Sequence, residues 1–238
     1  VGLKDIIDTS GMPTRRGSPI FSDRKPDADA TLVDRLRDAG AVIMGKTVTT
    51  EFAFLNPSHT RNPHDATRTP GGSSSGSAAA VAACHVPLAI GTQTNGSVIR
   101  PASFCGVYGF KPTSGVISRR GLLQTSVSLD QVGVFARSLD DAALLSDVLA
   151  GCDSADPASF ARPRPAMAKG AAENVPVEPD LAFFEMPFHD RLANDTREGL
   201  EAVIDALGGQ ISRLRPADTM ADLVAVQATI HEYEICQH

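Results

Sequence analysis

Residues Thr69 to Cys84 read TPGGSSSGSAAAVAAC. The first half has the composition of a flexible linker, because Gly and Ser together favour coil. The second half is strong helix-forming text, and a helix is expected over Ser77 to Cys84. A linker's residues set directly against a helix need a reason. A helix N-terminus carries unpaired N–H groups and a partial positive charge. Small residues ahead of it let another group approach the backbone closely. Serine hydroxyls there either cap the helix or are held rigidly for chemistry. On composition alone, capping is the first reading of Ser73 to Ser77.

A second cluster shifts the balance. GTQTNGSVIRPASFCG, Gly91 to Gly106, follows an apolar strand pattern and places Ser97 after small residues. Successive backbone N–H groups in such a turn form a nest for an anion. A serine on its own nest is an acyl-transfer arrangement, because the nest stabilises the tetrahedral oxyanion. What is lacking is a base. No His stands in a suggestive local motif, so a Ser-His-Asp triad has no support.

The rest of the chain alternates strand and helix patterns, which argues for layered α/β architecture. Short strands are expected in VGLKDII, AVIMG (Ala41 to Gly45), VPLAIGTQT, GVYGFKPT, QVGVFARS, LAFFEM and QISRL. Leu32, Val33, Leu36 and Ala39 share one helical face ending at Gly40, and Ser138 caps a helix carrying Ala142, Leu145, Val148 and Leu149. Asp195 and Glu198 form a capping-box-like start to a helix whose apolar face is Leu200, Val203, Ile204 and Leu207. The organisation expected is one domain over 1–238: a core over 1–151, a Pro- and Ala-rich surface loop over 152–178, and a further α/β portion over 179–238. The opening VGLKDII and the closing HEYEICQH break into a strand and a helix pattern, as in a fragment of a longer chain.

Charge and cysteine usage exclude several function classes. The net charge is −6 with no basic run, which argues against nucleic acid as a partner. No apolar run reaches transmembrane length. The four cysteines, Cys84, Cys105, Cys152 and Cys236, are too far apart for a zinc site or a disulfide framework, so reduced thiols and a cytoplasmic location are expected. His59 and His64 in a Pro-rich loop are a weak metal signal, and no metal is expected.

The two Gly/Ser stretches together resemble the signature of the amidase signature family of serine hydrolases. Weaker similarity runs from VGLKDIIDTSGMPT through GAVIMGKTVTTEFAF to YEICQH. The resemblance implies an α/β amidase signature fold: a central mixed sheet covered by helices on both faces, in three layers, incomplete at both ends. It implies a Ser–cis-Ser–Lys triad. The nucleophile is then Ser97, and the bridging serine, after a cis peptide bond, is Ser73, at the family spacing of 97 − 73 = 24. The base is Lys4 of the KD element; the rival Lys46 sits in the family's other lysine element and reads as a strand-end lysine. The N–H groups of Thr94, Asn95, Gly96 and Ser97 form the oxyanion hole. Asn95 stands where Gly is common, and Cys84 replaces a usual Gly after the helix.

Arg100 has two readings, a guanidinium fork gripping a substrate carboxylate and a structural contact under the active-site loop. A lysine base also has a condition attached. Free lysine titrates near 10.4, so it must be desolvated to accept a proton at neutral pH. That needs a closed pocket, which Lys4 beside a frayed chain end is expected to lack. The activity implied is hydrolysis of a small carboxylic amide to carboxylate and ammonia through an acyl-enzyme on Ser97, with no cofactor. A homodimer is compatible with it. TVTTEFAF reads as fitting a free-standing amidase better than the alternative, the glutaminase subunit of a tRNA-dependent amidotransferase. A second alternative is an inert scaffold that kept the fold.

Overall fold

The computed structural model describes residues 1–215 and 219–237. They form two compact units: Val1–Glu173 with the chain end from Tyr233, and Asn174–Glu232. The first unit is built on a five-stranded mixed sheet. Its strands are β1 (Gly2–Lys4), β2 (Gly45–Thr47), β3 (Leu88–Gln93), β4 (Tyr108–Phe110) and β5 (Gln131–Ala136), in the order β2-β1-β3-β5-β4. β1 runs parallel to β2 and β3, and β5 runs antiparallel to β3 and β4. Around the sheet lie α1 (Thr31–Asp38), α2 (Ser75–Ala82), α3 (Ile99–Cys105), α4 (Leu139–Leu149) and α5 (Met167–Ala172).

The strand period of two sorts side chains onto two cores. Ile90, Val132, Val134 and Ala136 pack with Leu32, Val33 and Leu36 of α1 and Ala142, Leu145 and Leu149 of α4. Ala89 and Phe135 point the other way, onto Ala78 and Val81 of α2 and Ala102 and Cys105 of α3. This is the three-layer α/β amidase fold with its mixed sheet. Ser138 caps α4 as its sequence indicates, its Oγ accepting the Asp141 N–H at 3.1 Å.

Several elements depart from the sequence reading, each for a local reason. The strand expected over 41–45 becomes regular only from Gly45, opposite Gly2 of β1; before it the contact with the chain start is reduced to Met44 N–H donating to Val1 O at 3.0 Å and the Val1 ammonium donating to Val42 O at 2.7 Å. Ala41 and Ile43 pack on the core while Val42 and Met44 stay exposed. α2 begins two residues earlier than expected, at Ser75. α3 was hidden by Pro101, which falls in its first turn, where a missing N–H costs nothing. The 152–178 stretch holds α5.

The second unit holds α6 (Asn194–Leu207) and two parallel strands, β6 (Leu181–Phe184) and β7 (Ile211–Leu214), with most of α7 (Met220–Ile235). α6 starts after Ala193 with no side-chain cap, so the Asp195–Glu198 box is not formed; Asp195 instead lies in the first turn, where the helix dipole favours an acid. Of its expected apolar face only Ile204 is buried. No helix among the described residues is long and apolar enough to cross a membrane.

One glycine shows how tightly α2 sits against the β2 side. The Gly76 N–H donates to Val48 O at 2.8 Å, and a Cβ at Gly76 would lie 2.3 Å from the Val48 nitrogen. Backbone cannot swing aside as a side chain can. Gly76→Ala is therefore expected to cost about 1–3 kcal/mol or more, the range of core overpacking, read as a lower denaturation midpoint.

Candidate active site

Each serine hydroxyl at the start of α2 is engaged. Ser73 Oγ accepts from Lys4 Nζ at 2.7 Å. Ser74 Oγ donates to Thr92 O at 3.1 Å and accepts the Thr92 N–H at 3.3 Å. Ser75 Oγ lies 2.8 Å from Ser58 Oγ, and Ser77 Oγ lies 2.7 Å from Thr47 Oγ1 and donates to Ile90 O at 2.9 Å. All four are buried, and none caps the helix, since no side chain bonds at its N-cap, Ser74. The linker-like composition is thus a packing solution. Small side chains bring α2 onto the sheet, and each carries one hydroxyl to a specific partner.

Lys4 is fully buried. The closed pocket, not expected for a residue so near the chain start, is supplied by the sheet: β1 lies between β2 and β3, so its end is interior. The ammonium nitrogen reaches Ser73 Oγ and, at 2.8 Å, Thr92 Oγ1. Burial pushes the lysine down from its ordinary 10.5 to about 7, with the charge of Asp130 acting in the opposite sense. A lysine poised near neutrality acts as acid or base with little cost in either direction. The Gly72–Ser73 peptide bond is cis, the geometry the resemblance implies.

Lys46 is different. Its ammonium is held by Ile7 O, Thr14 Oγ1 at 3.0 Å and Thr9 Oγ1 at 3.3 Å, and it makes no bond to Ser73 or Ser97. It ties down the loop after β1. Burial lowers it to about 8, a smaller displacement than that of Lys4.

Ser97 is buried in the turn between β3 and α3. Gln93 Oε1 accepts the N–H groups of Val98 at 2.9 Å and Ile99 at 3.0 Å, which caps α3 from the strand end. Among the described residues, nothing accepts from the N–H groups of Thr94, Asn95, Gly96 or Ser97. Four successive donors beside a serine are thus left for another acceptor. Ser97 Oγ itself bonds to no described atom, so the Ser73–Ser97 link is not formed. Arg100 spends Nε and Nη2 on the Gly72 carbonyl, at 3.1 and 3.0 Å, and so ties the start of α3 to the turn carrying Ser73. A cleft of about 270 Å³ opens beside it, lined by Thr50, Phe54, Leu55, Gly72, Arg100 and Phe104 among others.

Three residues of this site escaped the sequence reading: Thr92, Gln93 and Asp130. The signal for the first two was available, since polar residues ending an apolar strand in GTQT have a partner to find. Asp130 lies 33 residues beyond Ser97 (130 − 97), and only the antiparallel return of β5 beside β3 brings it close.

The mixed sheet with helices on both faces and a buried lysine bonded to a serine set the class of the protein, that of the amidase fold. The chain belongs to the amidase signature family, whose Amidase profile matches residues 1–232. It is 52% identical over 171 residues to one of the subunits of glutamyl-tRNA(Gln) amidotransferase from Acidothermus cellulolyticus, covering 69% of this chain and 34% of that protein. Its structure resembles a protein from a vestigial complex bearing on the origins of an s-triazine catabolic enzyme, with TM-score 0.90, 35% identity, and 100% and 53% of the two chains covered. It also resembles the peptide amidase of Stenotrophomonas maltophilia, with TM-score 0.82, 34% identity and 98% and 51% covered. The chain thus spans a third to about half the length of these relatives.

Proposed function

We propose that Ser97 is the nucleophile of an amide hydrolase, with Ser73 as the proton bridge and Lys4 as the base. The observation that carries this reading is the buried, near-neutral Lys4 bonded to Ser73. Uncharged Lys4 takes the Ser73 proton as Ser73 takes that of Ser97. Ser97 Oγ adds to the amide carbonyl carbon, and the N–H groups of residues 94–97 hold the oxyanion. The intermediate collapses, the C–N bond breaks, and the relayed proton leaves with the amine as ammonia. Water then cleaves the acyl-enzyme and restores Ser97. Catalytic hydrogen bonds are often long before substrate binds and tighten in the complex, which is the step that closes the Ser73–Ser97 gap.

For substrate, the relatives reverse the order that the sequence suggested. The 52% identity with an amidotransferase component favours glutamine as the amide donor and action within a multi-subunit enzyme. TVTTEFAF, which by its text fits a free-standing amidase, serves the scaffold: the Thr50 N–H donates to Ser73 O at 3.1 Å and Val48 abuts Gly76. Arg100, with Nε and Nη2 committed to Gly72, keeps Nη1 for the α-carboxylate of glutamine. A free-standing small-amide hydrolase is the second reading, supported by the peptide amidase likeness. Ammonia release from glutamine, measured with and without the amidotransferase partner subunits, separates the two. Turnover that requires the partners is expected. Release from small aliphatic amides by the chain alone, with none from glutamine under either condition, overturns the substrate assignment.

A further inference from the structure

The turn carrying the free N–H groups is fixed from one side by Gln93. Its other anchor is a buried carboxylate that has no part in the relay. Asp130 Oδ1 accepts from Thr94 Oγ1 at 2.5 Å and from Thr125 Oγ1 at 3.0 Å. Asp130 Oδ2 accepts the N–H groups of Thr125 at 2.6 Å and Ser126 at 2.9 Å. The carboxylate therefore has four donors and sits at the hub of the 125–130 turn, joining it to the first residue of the 94–97 turn. The 125–130 turn is itself held: Arg119 Nη1 donates to Val127 O at 2.7 Å and to Asp130 O at 3.2 Å. Ser128 Oγ donates to the Glu234 carboxylate at 2.5 Å.

We propose that Asp130 is a positioning residue for the reaction, holding Thr94 so that the N–H groups of residues 94–97 converge on the oxyanion. The inference rests on the nucleophile assignment above. A second consequence follows from where Asp130 lies. Lys4 meets neutral hydroxyls from the α2 side, Ser73, and from β3, Thr92; the charge acting on it from the packed elements is that of Asp130. Asp130 favours the ammonium form. Removing its charge lowers the pH at which Lys4 becomes a base.

The test compares parent, Ser97→Ala, Thr94→Val, Thr94→Ser and Asp130→Asn in the full chain, by the rate at which a fluorophosphonate labels the protein as a function of pH. This probe needs no knowledge of the substrate, and it also forms a charged oxygen that the turn must hold. Thermal melts of each variant report folding. Thr94→Val is expected to slow labelling by about 10- to 100-fold, less than the roughly 100- to 1,000-fold that outright loss of an oxyanion donor costs because the N–H groups remain, and Thr94→Ser to restore most of it. Asp130→Asn is expected to slow labelling at least as much and to move the acid limb of its pH profile downward, a change no purely structural lesion makes. Folded Thr94→Val and Asp130→Asn proteins labelled at the parental rate, with an unmoved acid limb, would overturn the inference. If Ser97→Ala is still labelled, the nucleophile assignment falls instead. If Asp130→Asn does not fold, Thr94→Val and Thr94→Ser decide alone: equal rates overturn the proposal.

Discussion

Ser97→Ala is expected to lower amide turnover by about 10,000-fold or more while leaving the fold intact. Removing a nucleophile that works in a relay costs about as much as removing the whole relay. The folded state loses almost nothing, because Ser97 Oγ bonds to no described atom and the substitution leaves the buried packing of the turn in place. Stability should stay within about 0.5 kcal/mol of the parent. Ammonia release and urea unfolding measure the two halves of this expectation. Parental turnover in the variant would show that another group attacks the carbonyl.

The second large effect sets stability against function. Lys4→Met keeps an apolar chain of similar length but removes the titrating nitrogen. Activity is expected to vanish. In the parent, activity should rise with pH through about 7, the point to which burial brings Lys4, because the neutral amine is the working form. Stability should move the opposite way to activity on substitution. In the unfolded chain the lysine titrates near its ordinary 10.5, and in the folded protein near 7. Between those values the unfolded state holds more protons, so parental stability rises with pH across that window and the full cost is present below it. The difference amounts to roughly 5 kcal/mol at 1.36 kcal/mol per unit. Lost hydrogen bonds to Ser73 and Thr92 offset part of it. The variant should therefore melt higher than the parent at pH 7, with the gain fading toward pH 10.5. A variant that melts lower at pH 7, or whose gain does not depend on pH, would show that Lys4 is not held in a desolvated pocket. Such a trade, stability surrendered for a poised group, is common at catalytic sites.

The legible parts of this protein were those written in local text. Ser138 ahead of an acidic first turn marks the start of α4, and its hydroxyl caps as expected. The stripe of Leu32, Val33 and Leu36 is the buried face of α1. The two Gly/Ser stretches were readable as a pair because their residue types are fixed by close packing and by the need for free N–H groups. Less legible were elements whose boundaries depend on a neighbour. The end of the 41–45 strand depended on which residue of β1 it faced, and the buried start of α2 on how closely Val48 approached Gly76. α6 had a capping-box pattern that its own backbone does not use.

Local order alone determined the layered α/β class, the family, and the two serine-bearing turns, since each rests on residue type and spacing along the chain. Whether Lys4 is held away from water was decided only in three dimensions. A side chain four residues from the start of the chain reads as solvated until β2 and β3 flank its strand and take water from it. The same holds for Asp130, which nothing in its neighbourhood along the chain connects to Thr94. Charge and desolvation act through space, so the groups that set a lysine's proton affinity need not lie near it in sequence.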